Sequence, residues 1–463
     1  MKHNRMYDII IIGAGTAGIS AYKEAIKKTQ NILIINDGPW DTTCARVGCM
    51  PSKILISTAN RMYEIGHADN LGLDVKSEID TSSVMQHVQT LRDRFTRATL
   101  KDVESWPNEH KISGRAEFLN ANTIIVNGQK LQAKSFILAV GTTPTIDTTQ
   151  KHILGSKLLT SDQIFELNQL PESIAVIGSG VIALELAQAL HRCGVKTTIF
   201  ARSRRIGSLT SPTLQNLAQE VLSNELDIKF EVLPESYEVQ NDQVHLNFTD
   251  SNKQQKLNVD YVLAATGRST LLDSLNLENI DESFNDLKKL PIDPISKQLG
   301  EYPIFVVGDA HTSTPIQHEA AHEGKQSVNN CLNYPIIKPI KTLCPLGILF
   351  SSPQMATIGK SYKQLKDLNK EFVTGFVSYE KQGRAIVAAK NQGAAEVYID
   401  VHTHKLLGAE LFCPEAEHLA HLLAWILDED ITIHQILEKP FYHPTLEEGL
   451  RTALKHARRQ LSS

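Results

Sequence analysis

Cys44 and Cys49, five residues apart, are the side chains whose type and spacing most directly allow chemistry. On an uninterrupted helix they would stand about 7.5 Å apart along the axis and on different faces. A disulfide needs Cα atoms within about 7 Å. If the two bond, the backbone must be distorted, and Gly48 and Pro51 are suited to that. A bond held in distorted geometry is more readily reduced, which suits a redox carrier better than a staple. The other four cysteines (Cys193, Cys331, Cys344, Cys413) are isolated and read as packing residues. Six cysteines in 463 residues do not make a disulfide scaffold.

Two glycine clusters could hold dinucleotides. Gly13, Gly15 and Gly18 follow the apolar run Tyr7–Ile12 and precede a helical pattern through Lys28 and a second apolar run, Asn31–Ile35. Gly178, Gly180 and Ala183 follow Ile174–Ile177 and precede a helix to about Arg192 and the strand Lys196–Phe200. In such a unit the first position permits a tight turn, the second lets the backbone approach a pyrophosphate, and the third allows close helix–strand packing. The helix N-terminus then presents unpaired N–H groups to the phosphates. Two sites imply two nucleotides, with electrons passing between a bound flavin and a diffusible nicotinamide. The first is expected to hold FAD and the second NAD(P).

The residue that faces the ribose is Asn36 in the first unit, with Asp37 beside it. In the second it is Ala201, followed by Arg202, Ser203, Arg204 and Arg205. No carboxylate is present there for a 2′-hydroxyl, and three arginines are available for a 2′-phosphate, which favours NADPH. The alternative is a solvated basic turn with NADH bound through the remaining contacts.

Around these units the pattern predicts a long helix over about 82–105, strand-like segments from Lys111 to Leu138, and apolar strands at Tyr261–Gly267 and Ile304–Asp309. From about residue 341, alternating runs near Thr357, Val373–Tyr379, Ala395–Val401 and Leu407–Leu411 predict an antiparallel sheet. Helices follow near Ala416–Leu427 and Thr445–Arg459. A chain of this length is expected to form two to four domains. With 47 basic and 52 acidic side chains it carries no footprint for nucleic acid or an anionic membrane. Met1–Arg5 and the four-residue run Ile9–Ile12 do not make a signal peptide, and no stretch is long enough to span a bilayer, so a cytoplasmic location is expected.

The segment from Cys44 through Cys49 to Pro51-Ser52-Lys53 resembles the redox signature of the class I pyridine nucleotide–disulfide oxidoreductases, most closely the dihydrolipoyl dehydrogenases. Ala139-Val140-Gly141, Ala265-Thr266-Gly267-Arg268, Val307-Gly308-Asp309-Ala310 and His443-Pro444-Thr445 fall where that family has them. The resemblance implies an α/β fold of two Rossmann-like dinucleotide-binding domains, for FAD and NAD(P), plus a C-terminal α+β dimerisation domain. The boundaries drawn are 1–150 for FAD, 151–270 for NAD(P), 271–340 for a continuation of the FAD domain and 341–463 for the interface domain.

By the same resemblance Cys49 lies against the flavin and Cys44 meets substrate. Lys53 approaches the flavin and pairs with Glu185. Asp309 holds the ribityl chain, and Gln317, His318 and Ala320 supply nearby contacts. Thr43, Ala116, Gly141 and Gly267 belong to the nucleotide sites. His443 of the partner subunit serves as acid–base group over the disulfide, oriented by Glu448. Thr445 and Glu448 also fit a capping box for the last helix. Asp41-Thr42-Thr43 departs from the two glycines and threonine usual before the first cysteine, and Phe441-Tyr442 from the usual His-Ala.

His318-Glu319-Ala320-Ala321-His322 matches a zinc-protease pattern, but it follows the flavin motif and no metal is expected there. The expected activity is electron transfer between NAD(P)(H) and a dithiol or disulfide, free or on a lipoyl-bearing protein, in a homodimer. Alternatives are an NADPH-driven reductase of another small disulfide and a non-catalytic flavoprotein sensor. Mercuric reductase and the large thioredoxin reductases are disfavoured, since no second cysteine pair precedes Gln460-Leu461-Ser462-Ser463.

Overall fold

The computed structural model describes residues 6–311 and 315–461. The segment Met1–Arg5 and the final Ser462-Ser463, both used in the sequence reading, lie outside the described residues. The chain separates into two compact units. One comprises Met1–Pro51, His87–Thr145 and Gly267–Leu343; the other Ser52–Gln86, Ile146–Thr266 and Cys344–Ser463.

The first unit is built on a sheet of seven strands. Strand β1 (Met6–Ile12), helix α1 (Thr16–Ala25) and strand β2 (Ile32–Asn36) form its opening turn, with Ile9 opposite Ile32 in parallel register. Ile9, Ile10, Ile11, Leu33, Ile34 and Ile35 are fully buried. An unbroken apolar run rather than an alternating one is what a parallel strand covered on both faces requires. The strand-like stretch from Lys111 becomes four strands: Lys111–Ser113, Ala116–Asn120, Thr123–Val126 and Gln129–Leu138. Much later in the chain, Ile304–Val306 pairs parallel with Gln129–Leu138. The helix Gln317–Asn333 lies so close to α1 that a Cβ on Gly324 would stand 2.2 Å from the Ala17 carbonyl oxygen.

The second unit holds two main sheets. Asp227–Phe230, Lys196–Ala201, Ser173–Ile177, Tyr261–Ala264 and Leu158–Thr160 form a parallel sheet in that order. The helix Val181–Arg192 leaves its central strand. An antiparallel three-stranded sheet (Ser236–Gln240, Gln243–Asp250, Lys253–Val259) is inserted before Tyr261, a feature the sequence reading missed. The C-terminal sheet is antiparallel as expected and has five strands, the additional one being Leu346–Leu349. Helices Ala416–Asp428 and Glu447–Leu461 pack on it through Leu419, Leu423, Leu450, Ala453 and Ala457.

Two expected strands end early. The run from Tyr261 stops at Ala264, because Gly267 has φ of +110° and Arg268–Thr270 turns away to pair with Thr142–Pro144. The run from Ile304 stops at Val306, before a single 3₁₀ turn over Gly308–His311. Three short helices (Tyr362–Asp367, Gly383–Val387, Ile433–Leu437) are invisible to periodicity, being under two turns long. Each is started by a side-chain cap, from Ser361, Gln382 and Thr432. Among the described residues no helix is long and apolar enough to cross a membrane.

Candidate active site

The two glycine clusters have the same local construction. Gly13 and Gly178 adopt φ of +104° and +124°, and their N–H groups donate to the ends of the neighbouring strands, at Ile35 O (2.7 Å) and Phe200 O (2.9 Å). A Cβ on Gly13 would lie 2.3 Å from the Ala139 oxygen, and one on Gly178 2.4 Å from the Ala265 oxygen. Gly15 and Gly180 differ: a Cβ at either would meet open space. They are the N-caps of α1 and of Val181–Arg192, and neither helix start receives a side-chain cap. Uncapped N–H groups facing open space fit a pyrophosphate. At the third position Gly18 is obligatory, since its Cβ would lie 1.9 Å from the Gly13 oxygen, whereas the second unit accommodates the buried Ala183. The residues present therefore fit two dinucleotides.

At the end of β2 the Asn36 side chain is engaged inward. Its Oδ1 accepts from the Ala14 N–H at 2.9 Å, and its amide donates to Gly38 O (3.0 Å) and Pro39 O (2.8 Å). One lone pair of Oδ1 is left over for a ribose hydroxyl. Asp37 pairs instead with Arg115 at 3.0 Å. In the second unit Ala201 has no such reach, and Ser179 ties the loop by donating to Arg205 O at 2.8 Å. Of the three guanidinium groups, that of Arg204 alone has a partner among the described residues: it donates to Gln219 Oε1 at 3.2 Å and lies 5.5 Å from the Phe230 ring. Arg202 and Arg205 are exposed, and their guanidinium groups pair with nothing among the described residues.

Gly141 (φ +69°) and Gly267 both face open space, and Gly141 O accepts from the Leu271 N–H. Ala116, at the start of its strand, is buried. Asp309 is half-buried and makes no hydrogen bond among the described residues. Burial pushes its carboxyl above the usual range, against the opposing charge of Arg268 and with the Glu323 carboxylate adding to the rise. Gln317 is exposed and opens the helix Gln317–Asn333, again without a side-chain cap; His318 is half-buried and Ala320 buried. In the zinc-like pattern, the His322 ring is occupied by the Lys341 carbonyl at 2.5 Å.

The helical backbone is broken between Cys44 and Cys49. Helix α2 (Thr43–Arg46), capped by Thr42, ends at Val47, and α3 (Cys49–Gly66) begins at the second cysteine. A Cβ on Gly48 would stand 3.2 Å from the Cys44 Cα and 3.1 Å from the Thr43 oxygen, so the chain folds back tightly between the cysteines. Pro51 occupies the first turn of α3, where its missing N–H leaves no bond unmade. Cys44 is half-buried and Cys49 exposed. Thr43, at the start of α2, is exposed.

Lys53 and Glu185 meet at 2.8 Å, and the ammonium also lies 4.6 Å from the Phe350 ring centroid. The second oxygen of Glu185 accepts from the Phe350 N–H at 2.9 Å. Sequence reading missed Phe350, because a backbone amide 165 residues away leaves no local pattern.

At the C-terminus His443 Nδ1 meets Glu448 Oε2 at 3.0 Å, and the same oxygen accepts from the Thr445 N–H at 3.2 Å. The two uses of Glu448 coexist. The Thr445 half of a capping box is absent, since the helix starts at Glu447 and the Thr445 hydroxyl donates to Tyr442 O. The His443 hydrogen bond, then the Thr445 amide, hold the Glu448 carboxyl below its ordinary range. Two further side chains brace this loop: Gln382 donates to Thr445 O at 2.7 Å and Tyr379 to Leu446 O at 3.2 Å. His443 itself is 80% exposed, which leaves its other face open to a substrate or second chain.

Residues 7–324 match the model of the pyridine nucleotide-disulphide oxidoreductases, and 346–454 that of their dimerisation domain. The chain is 27% identical to a mercuric reductase of Lysinibacillus sphaericus, over 96% of this chain and 82% of that one. It is 24% identical to a dihydrolipoyl dehydrogenase of Mycoplasma genitalium, over 97% and 98%. Among solved structures, LpdA of Mycobacterium tuberculosis superposes with a TM-score of 0.83 at 21% identity, covering 98% of this chain and 99% of the other. The HOCl-induced flavoprotein disulfide reductase RclA of Escherichia coli gives 0.80 at 19% identity, with 97% and 99% covered. FAD and NAD(P)H are the cofactors of this group, and the two cradles fit them. The chain belongs to the pyridine nucleotide-disulphide oxidoreductase family.

Proposed function

We propose that this chain passes electrons between NAD(P)(H) and a small dithiol or disulfide through Cys44 and Cys49, in the manner of a dihydrolipoyl dehydrogenase. The observation that carries this reading is the broken helix between the cysteines, with Gly48 packed onto Cys44. Bound FAD and nicotinamide supply the two-electron chemistry. The chain's part is to hold them and to move protons. The uncapped helix starts at Gly15 and Gly180 bind the pyrophosphates. Asp309 holds the FAD ribityl chain, and Lys53, oriented by Glu185, sits toward the flavin. Cys44 exchanges with the substrate sulfur, and His443 of the partner subunit carries the proton. Glu448 keeps that imidazole oriented by accepting at Nδ1.

A second reading, NADPH-driven reduction of a different small disulfide, is favoured by the unpaired Arg202 and Arg205. The Phe441-Tyr442 pair before His443 also departs from the lipoamide pattern. One steady-state comparison separates the two, with NADH and NADPH each tested against lipoamide and glutathione disulfide. Lipoamide turnover supports the first reading; turnover of glutathione disulfide with NADPH alone supports the second. NADH at least tenfold better than NADPH overturns the role given to Arg202. A holoenzyme whose flavin is reduced by NAD(P)H but passes nothing to any disulfide is a non-catalytic flavoprotein, and both readings fail.

A further inference from the structure

Arg46 lies inside the redox loop, two residues after Cys44 and three before Cys49. Its Nε donates to Asp41 Oδ1 at 3.0 Å, and the side chains are 37% and 8% exposed respectively. A carboxylate this sheltered is not a solvated surface partner. Thr42 caps α2 directly after it, and the fold-back at Gly48 keeps both cysteines within the same short segment. Arg46 itself is two residues from Cys44, less than one helical turn along α2.

We propose that the Asp41–Arg46 ion pair tunes the reduction potential of the Cys44–Cys49 couple, Arg46 raising it and Asp41 holding it back. The inference rests on the redox role given above to the two cysteines. Reduction adds two electrons to the S–S bond, which breaks; uptake of one proton leaves one thiol and one thiolate. The electrons come from NAD(P)H, which the activity of this family supplies. A nearby cation favours the thiolate and so the reduced form, and a nearby carboxylate does the reverse. Neither residue touches substrate in this account. They act on the sulfurs.

The test is equilibration of the FAD-loaded enzyme and its variants in buffers of oxidised and reduced dithiothreitol, at fixed pH. After acid quench and alkylation, the mass of the peptide carrying Cys44 and Cys49 gives the disulfide fraction. Asp41→Asn leaves Arg46 unopposed and shifts the equilibrium about threefold toward the dithiol, about 15 mV for a two-electron couple. Arg46→Gln shifts it about threefold the other way. A pair that only braces the loop moves both variants in the same direction or neither, and either result overturns the proposal. Arg46→Lys keeps the charge without the Nε geometry and is expected to stay near the wild-type value, which separates charge from packing. Retained disulfide turnover in Cys44→Ser marks failure of the underlying redox assignment instead, whatever the potentials show.

Discussion

Glu448 serves two partners with one carboxylate, and its charge is what both need. His443 and the Thr445 amide stabilise the ionised form, so the folded pKa lies below the unfolded one. This contribution to stability is present at neutral pH and is lost as pH falls through the depressed pKa. The wild-type melting temperature should exceed that of Glu448→Gln at pH 7, with the gap closing in acid. The gap should be small, because the group is solvent-screened. The effect on exchange should be larger. His443→Gln is expected to slow turnover of the disulfide substrate by roughly 10²–10⁴, while stopped-flow reduction of the flavin by NAD(P)H proceeds unchanged. Loss of both half-reactions would remove His443 from the proposed role.

Helix α1 and the helix Val181–Arg192 test the same geometry twice, with different residues at the third position. Gly18→Ala places a methyl 1.9 Å from the Gly13 oxygen, so the turn itself must open. Low flavin content and a lowered melting temperature are expected together. Gly15→Ala meets no protein atom, so the apo fold should keep its melting temperature while the absorbance ratio of flavin to protein drops. The corresponding change at Gly180 should raise KM for the nicotinamide and leave flavin content unaltered. Equal flavin loss in the Gly15 and Gly180 variants would contradict the assignment of FAD to the first cradle. Both cradles were legible in the sequence, because a positive φ and a close backbone approach leave glycine few substitutes. Asn36 was legible only as a position. That its amide is consumed by Gly38 and Pro39 depends on how the following loop curls back.

Residues 346–454 match a dimerisation domain, and the exposed face of His443 is the reason a second chain matters. If Cys44 of one subunit works with His443 of the partner subunit, two inactive variants must complement. Cys44→Ser and His443→Gln, dissociated and reassociated in equal amounts, are expected to recover about a quarter of wild-type activity. Half of the dimers are then mixed, and each mixed dimer has one intact site. No recovery, with mixed dimers verified by mass, would place His443 on its own subunit's disulfide.

Residue identity alone determined the fold class and the family, and it singled out the two glycine turns and the close cysteine pair. Each depends on short-range rules: a glycine where φ is positive, an apolar run where a strand is buried on both faces, two thiols with a breaker between them. The three short helices stayed hidden, because under two turns a cap decides the helix rather than periodicity. Only the tertiary structure brought Phe350 to Glu185 and gave Gln382 and Tyr379 to the His443 loop. Those bonds run between a side chain and a distant backbone group, and such a group has the same chemistry whatever residue carries it. The Asp41–Arg46 pair stands between the two cases. Asp41 was visible as a departure from the family pattern, but its pairing with Arg46 and the burial that makes the pair matter are properties of the fold.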